Sequence, residues 1–136
     1  MSAPVIVTDA GFAPDDFTGP IDTLETLSPA STALDLPGDV DPARLPALSG
    51  LAFIRVGFAS FADGRGFTLA ARLRRLGFAG RLRAAGPLIA DQYAMARRAG
   101  FDEVEIPSQI AARQPEAQWR ARADWRNLDY RARLRA

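Results

Sequence analysis

Two glycine-rich turns near the middle of the chain carry side chains that could bind an anion or transfer a proton. A guanidinium offers a planar fork of donors to a carboxylate, phosphate or sulfur oxyanion, and two aspartates could serve as general acid and base. Glycine lets the backbone approach a ligand closely. The candidate catalytic residues are Asp63 and Asp91; the candidate anion-binding residues are Arg65, Arg83, Gly64, Gly66 and Gly86, with Gln92 as a further site residue.

The charged residues of the turns also have explanations that need no ligand. Asp63 could cap the following helix and pair with Arg65, and an acid at Asp91 is favoured by the dipole of the helix that it begins. The sequence is compatible with both the structural and the ligand-binding interpretation.

Arg83 lies in a predicted strand that helices should cover, so its guanidinium needs a partner to offset the loss of water. Glu103 or Glu105 on the following strand would make this pair structural, whereas Asp63 or Asp91 would draw the guanidinium toward the turns. These alternatives remain open at the level of the sequence.

The 136-residue chain contains neither cysteine nor histidine. A thiolate nucleophile, a disulfide framework and the usual ligands of zinc, haem and iron–sulfur clusters are therefore excluded. No P-loop, dinucleotide fingerprint or metal-ligand spacing is present. We predict no metal site and no cofactor, so any chemistry must use carboxylates, arginines, tyrosines, hydroxyls or backbone amides.

Charge is divided unevenly along the chain. Residues 1–50 hold eight acids and one arginine, while residues 51–136 hold sixteen arginines and eight acids, and there is no lysine. Codon bias toward arginine or a surface that faces anions would explain this composition. In residues 111–136 the aromatic residues fall on helical stripes and acids interrupt the arginines, which favours docking or homo-oligomerisation over nucleic-acid binding.

The elements that must position these side chains alternate between strand and helix. Strands are predicted at 4–9, 32–37, 51–58, 80–86 and 101–107, with one helix that ends at Gly77 and another from Pro87 to Gly100. The alternation of acidic and apolar residues in 101–107 is typical of an edge strand. Arg55 within 51–58 is expected to form a structural ion pair.

This order predicts an α/β fold with a βαβαβ-type parallel or mostly parallel sheet of four or five strands, flanking helices and a C-terminal helix. A fragment of a (β/α) barrel is the alternative. We expect a single domain over 1–136, with an acidic N-terminal part at 1–50, the βαβαβ core at 51–107 and an Arg- and Trp-bearing C-terminal helix within 108–136. In a parallel sheet the two turns would meet beyond the carboxyl ends of the strands, which is where ligands bind.

The apolar stretches are far shorter than the roughly 20 residues of a membrane span, and the start of the chain lacks the basic region of a signal peptide. We therefore predict a cytoplasmic protein with no membrane partner.

A specific pattern covers residues 58–106, close to F-x-x-F-x-D-G-R-G-[YF]-[ST], then A-R, then G-[YF]-x-G-x-[LI]-R-A-x-G, then D-Q, then M-x-R, then G-F-D. It resembles a family of small bacterial proteins of unknown function encoded beside assimilatory sulfite reductase. Pro87 departs from the acidic or polar residue expected after the glycine. The matching residues are Phe58, Phe61, Asp63, Gly64, Arg65, Gly66, Phe67, Thr68, Ala71, Arg72, Gly77, Phe78, Gly80, Arg83, Ala84, Gly86, Asp91, Gln92, Met95, Arg97, Gly100, Phe101 and Asp102.

The resemblance implies a role in sulfite reduction or cysteine biosynthesis, with sulfite reductase or another sulfur-assimilation protein as partner. It does not imply a known reaction, although a role as an oxidoreductase has been attached to the family. An accessory or binding protein with an anion-binding edge is the function we favour from the sequence. The alternative is a small enzyme acting on a sulfur-containing or carboxylate metabolite.

Overall fold

The computed structural model describes residues 3–126 and contains one six-stranded sheet. Its strands follow the order β2-β1-β6-β5-β4-β3 across the sheet. Strands β3 to β6 are parallel to one another, β1 is antiparallel to β6, and β2 is antiparallel to β1. The strands are β1 (Val5–Thr8), β2 (Gly11–Ala13), β3 (Ala33–Pro37), β4 (Phe53–Gly57), β5 (Arg81–Ala85) and β6 (Glu103–Ile106).

Four α-helices follow or connect the parallel strands: α1 (Arg65–Arg75), α2 (Tyr93–Ala99), α3 (Ser108–Arg113) and α4 (Glu116–Arg120). Single turns of 3-10 helix occupy Pro42–Arg44 and Ala90–Gln92. Because β3, β4, β5 and β6 are sheet neighbours in chain order and such crossovers share one hand, α1 and α2 lie on the same face of the sheet.

That face is the apolar one and holds the core. Side chains alternate between the two faces of a strand, and on this face the four parallel strands contribute Leu34, Leu36, Ile54, Val56, Leu82, Ala84, Val104 and Ile106. The helices close over them with Leu69, Leu73, Tyr93 and Ala96. The other face has no helix from the crossovers and carries arginines and acids instead.

The predicted β4-α1-β5-α2-β6 unit is confirmed, as is the mostly parallel sheet, but the predicted count of four or five strands is wrong. The missing strand is β2, only three residues within a stretch of glycine, proline and aspartate, which has no periodicity to identify it. The prediction that β6 is an edge strand is also wrong, because β1 pairs with it antiparallel and leaves it inside the sheet.

The helical boundaries differ from the predictions in two places. The second helix does not begin at Pro87, because Ile89 is extended (φ −109°, ψ 161°), and α2 starts only at Tyr93. In place of one C-terminal helix the described residues form two short ones, with Pro115 between them, and the rest of the predicted helix, 127–136, lies outside the described residues. Within residues 3–126 no helix has the length and apolar character needed to cross a bilayer.

Candidate functional site

The first candidate turn forms the start of α1, beyond the carboxyl end of β4. The Asp63 carboxylate accepts hydrogen bonds from the Arg65 backbone N–H (3.1 Å), from Arg65 Nε (3.0 Å) and from Arg65 Nη2 (3.0 Å). These bonds from Arg65 lower the pKa of the Asp63 carboxyl. Asp63 thus accepts from the first backbone N–H of α1 and from the side chain of the same arginine.

Arg65 nevertheless remains accessible, since 66% of its side chain is exposed. It lines a cleft of about 290 Å³ between the loops that follow β3 and β4, together with Asp39 and Asp63. Arg65 Nη1 lies 3.9 Å from Asp39 Oδ2. One cation between two carboxylates gives the cleft a net negative character, so an anionic ligand would have to displace Asp63 or bind the outer edge of the guanidinium.

Two of the candidate glycines are required by packing against Phe58. A Cβ on Gly66 would lie 2.4 Å from the Phe58 ring, and a Cβ on Gly86, whose φ is +148°, would lie 2.3 Å from the Phe58 carbonyl oxygen. Both turns therefore close on the same aromatic residue at the end of β4. Gly64 differs, because a Cβ there would meet nothing within 4 Å.

Arg83 lies on the opposite face of the sheet from the helices and is fully buried. Its Nε donates to Glu103 (2.5 Å), its Nη1 to Glu105 (2.9 Å) and its Nη2 to Asp15 (3.0 Å). Its guanidinium also lies over the Phe53 ring, 5.0 Å from the centroid. Burial alone would lower the pKa of Arg83, but the hydrogen bonds that it donates to Asp15 and Glu103 outweigh burial and raise that pKa.

The same face carries a row of charges in register across the parallel strands. Asp35 on β3 is aligned with Arg55 on β4, Arg55 with Arg83 on β5, and Arg83 with Glu103 on β6. Glu105 accepts from both arginines of this row, and Arg55 also forms two bonds with Asp35, so Arg55 has the structural ion pair that was expected. We call this row the charge ladder.

The segment that follows β2 covers one end of the charge ladder. Asp15 reaches Arg83, Asp16 accepts from Arg81 at 2.5 Å, and Phe17 stacks on Phe53 with ring centroids 4.1 Å apart. This role of the N-terminal acids was not predicted from the sequence. The excess of acids in the first 50 residues and the excess of arginines in the rest could have indicated that the two parts pair with each other.

The second candidate turn leads to Asp91 and Gln92. Asp91 pairs with Arg122 at 2.5 Å. Gln92 Oε1 accepts from the Ile89 N–H (3.0 Å), and its Nε2 donates to the Phe61 carbonyl oxygen (2.6 Å). Gln92 therefore ties the start of α2 to the loop after β4.

A second cluster that was not predicted from the sequence surrounds Asp9. Its carboxylate accepts from the Tyr93 hydroxyl, from Arg97 Nη2 (3.1 Å) and from Trp125 Nε1 (3.4 Å). Burial acts to raise the pKa of Asp9, yet these donors, Arg97 foremost, lower it, while burial and the nearby carboxylate raise the pKa of Tyr93. The cluster joins the end of β1 to α2.

The structure brings together only part of the predicted set. Asp63, Gly64, Arg65 and Gly66 share the start of α1, and Gly86 contacts the same Phe58. Arg83 and Asp91 belong to separate ion pairs, and neither shares a partner with Asp63. Among residues 3–126, no three acids group closely enough to hold a metal ion.

A family model described as a bacterial protein of unknown function (DUF934) matches residues 33–135. Because this match covers well over half of the chain, the chain belongs to that family. No curated protein and no solved structure shows a significant match to it.

Proposed function

We propose that this member of the DUF934 family is an accessory protein of assimilatory sulfite reduction and cysteine biosynthesis, which acts by binding a partner. The setting is supported by the resemblance of residues 58–106 to proteins encoded beside sulfite reductase. Sulfite reductase itself is the partner we propose, and we place the interaction in the cytoplasm.

The observation that carries this proposal is the occupation of the candidate catalytic groups by partners within the chain. Asp63 is held by Arg65, Asp91 by Arg122, and the guanidinium of Arg83 by three carboxylates. A general base needs a pKa near the working pH, whereas the pKa of Asp63 is lowered. These groups are better suited to hold the fold than to transfer protons.

The edge beside the start of α1 offers a surface that suits binding. Phe61 is 56% exposed and Met95 is 48% exposed. Gln92 Nε2 donates to the backbone carbonyl oxygen of Phe61, and Met95 lies three residues after Gln92, so both exposed residues are near Gln92. With Arg65 they give an aromatic residue, a flexible thioether and a guanidinium, which are residue types enriched in protein interfaces.

The test is capture of the purified protein by immobilised sulfite reductase at micromolar concentration. We expect capture by the wild type and its loss with Arg65→Ala or Phe61→Ala. Arg113→Ala, an exposed arginine on α3, is the matched control and should be captured normally. Absence of capture, or capture that both substitutions leave unchanged, would contradict the proposal.

The small cleft at Asp63 and Arg65 favours a second candidate, an enzyme that acts on a sulfur-containing or carboxylate metabolite. Asp63 or Asp91 would be the acid or base, with Arg65 as the anion clamp, since Arg83 is buried on the other face of the sheet. An oxidoreductase of this kind would need electrons from a partner or from a non-covalently bound organic cofactor. Turnover that survives Asp63→Asn combined with Asp91→Asn would exclude these roles.

Homo-oligomerisation through the C-terminal segment remains a prediction. Part of that segment docks within the chain, since Trp119 is buried and donates from Nε1 to the Gln114 carbonyl oxygen at 2.8 Å. Sedimentation equilibrium of the wild type would give the oligomeric state directly.

A further inference from the structure

The outer side of α1 forms one wall of a long groove whose other wall is the segment 38–51. Two adjoining cavities of about 350 and 680 Å³ make up this groove, and they share Pro42 and Arg72. We call it the α1 groove. It lies on the helical side of the sheet, away from the charge ladder.

Three arginines line the groove along a single stripe of α1. Arg65, Arg72 and Arg75 are spaced by seven and three residues, which places them on one face of a helix, with Thr68 between them. At a rise of about 1.5 Å per residue the stripe is roughly 15 Å long. All three side chains are exposed.

Two of these charges have no partner in the part of the chain that the structure describes. Arg72 and Arg75 form no ion pair with any of residues 3–126, in contrast to Arg55, Arg81 and Arg83 on the other face. Surface arginines of this kind can bind carboxylates without first breaking an internal bond. Arg72 and Arg75 are therefore available to bind negatively charged groups of a ligand in the α1 groove.

The far end of the α1 groove presents leucine side chains. Leu76, the residue after α1, is 56% exposed there, and the half-buried Leu45 and Leu48 line the opposite wall. A ligand that fills the whole groove would place negative groups against the arginines and an apolar group against the leucines. This combination is typical of an acidic polypeptide segment that ends in hydrophobic residues.

The opposite wall argues against a nucleic acid. Asp39 and Asp41 face the arginine stripe across the groove, and they would repel a continuous phosphate backbone. The residues that line the two cavities include one aromatic, Phe78, which is buried and offers no platform on which bases could stack. A peptide can alternate acidic and neutral side chains, so it can avoid these carboxylates.

We infer that the α1 groove binds an acidic segment of a partner protein, with carboxylates on Arg65, Arg72 and Arg75 and an apolar residue on Leu76. This inference rests on the proposed function as a binding protein, and it names the chemistry of the partner. In an extended segment, alternate side chains lie roughly 7 Å apart on one side, so about five residues span the arginine stripe.

The test uses a fluorescein-labelled peptide with three glutamates at alternating positions followed by two leucines, and it measures fluorescence anisotropy against the full-length protein. We expect saturable binding at about 0.05 M NaCl that weakens steeply by about 0.5 M, because salt screens exposed charges. Arg72→Glu with Arg75→Glu should weaken binding about tenfold or more. Arg72→Gln with Arg75→Gln should give a smaller loss in the same direction.

The matched control is Arg98→Glu with Arg113→Glu, which changes net charge equally at exposed positions outside the α1 groove. It should leave peptide binding within about twofold of the wild type, and circular dichroism should show all variants folded. A peptide with lysine in place of glutamate should not bind.

Equal losses in the groove and control variants, or no binding of the acidic peptide, would overturn the inference. Tighter binding of a labelled single-stranded DNA than of the peptide would overturn it in favour of a nucleic acid. The assay contains no sulfite reductase, so peptide binding without capture by that enzyme would contradict only the proposed partner. Capture that persists in Arg72→Glu with Arg75→Glu would contradict only the groove.

Discussion

At the scale of single residues, Arg83 illustrates what it takes to bury a guanidinium. Each of its three nitrogens donates to a different carboxylate, and the ring of Phe53 covers the guanidinium face. The desolvation cost of such a group is compensated only when its hydrogen bonds are all satisfied. Removal of Arg83 would leave each of these three carboxylates with one hydrogen-bond donor fewer.

We expect Arg83→Met to lower the free energy of unfolding by about 3 to 5 kcal/mol, because it removes the buried cation to which Asp15, Glu103 and Glu105 all bond. Urea denaturation followed by circular dichroism would measure the loss. Arg72→Met, at an exposed arginine with no ion pair among residues 3–126, should change stability by no more than about 0.5 kcal/mol. Equal effects at the two positions would show that the charge ladder adds nothing to stability.

The sequence predicted that Arg83 needs a partner, and it offered Glu103 and Glu105 among the alternatives. It could do so because strands that are consecutive in a βαβ unit are usually neighbours in the sheet. Asp15 could not be predicted, since it lies 68 residues away in a segment without periodicity. For the same reason the separation of Arg83 and Asp91 from Asp63 appears only in the folded chain.

At the scale of elements, the start of α1 depends on how closely the helix approaches β4. Phe58 follows β4 directly and lies against both Gly66 and Gly86, and its ring contacts Phe67 with centroids 4.9 Å apart. The spacing of apolar residues in the sequence predicted this helix and its buried face. It could not distinguish a glycine needed for packing from a glycine that serves a ligand.

Gly66→Ala should destabilise the protein by roughly 1 to 3 kcal/mol, because the added methyl group would overlap the Phe58 ring. Gly64→Ala should be neutral or stabilising by up to about 1 kcal/mol, since Gly64 has an ordinary φ of −86° and open space around it. Thermal unfolding of the two variants beside the wild type would measure both effects. A Gly66→Ala variant as stable as Gly64→Ala would mean that the helix can shift away from Phe58 at little cost.

The prediction that β6 is an edge strand was wrong because the polar face of this strand is buried in the sheet. Alternating acidic and apolar residues usually mark a strand with one solvated face. In this fold the polar face of β6 is turned toward arginines of β5, so Glu103 is nearly fully buried. Alternation thus predicted the two faces correctly and the position in the sheet wrongly.

At the scale of the whole molecule, the uneven charge of the sequence is matched internally. Five acids from the first 50 residues pair with five arginines from the remainder, in the pairs Asp9–Arg97, Asp15–Arg83, Asp16–Arg81, Asp35–Arg55 and Asp39–Arg65. The N-terminal part therefore docks onto the βαβαβ core through charge as well as through β1. Such pairing explains a division of charge that composition alone attributed to codon use or to an external anion.

This arrangement has a consequence for acid stability. Arginine hydrogen bonds lower the pKa values of Asp15, Asp16 and Asp63, and those to Asp9 outweigh its burial and do the same. A carboxyl whose pKa is lower in the folded state stabilises the fold fully above its unfolded pKa of about 3.9, and this contribution is lost as pH falls through the folded pKa. The chain has no histidine or cysteine to titrate between pH 5 and 8.

We therefore expect the free energy of unfolding to stay level from about pH 5 to 8 and to fall below about pH 4. Urea denaturation at a series of pH values would measure this profile. Asp15→Asn should lower the free energy of unfolding between about pH 5 and 8, because an amide cannot neutralise Arg83. It should also make the fall of that free energy below about pH 4 shallower, because one titrating group is gone. Only groups whose pKa differs between the folded and the unfolded chain can make the free energy of unfolding depend on pH. A fall of this free energy between about pH 5 and 7, or a fall below about pH 4 that Asp15→Asn leaves unchanged, would show that these ion pairs do not govern the pH dependence.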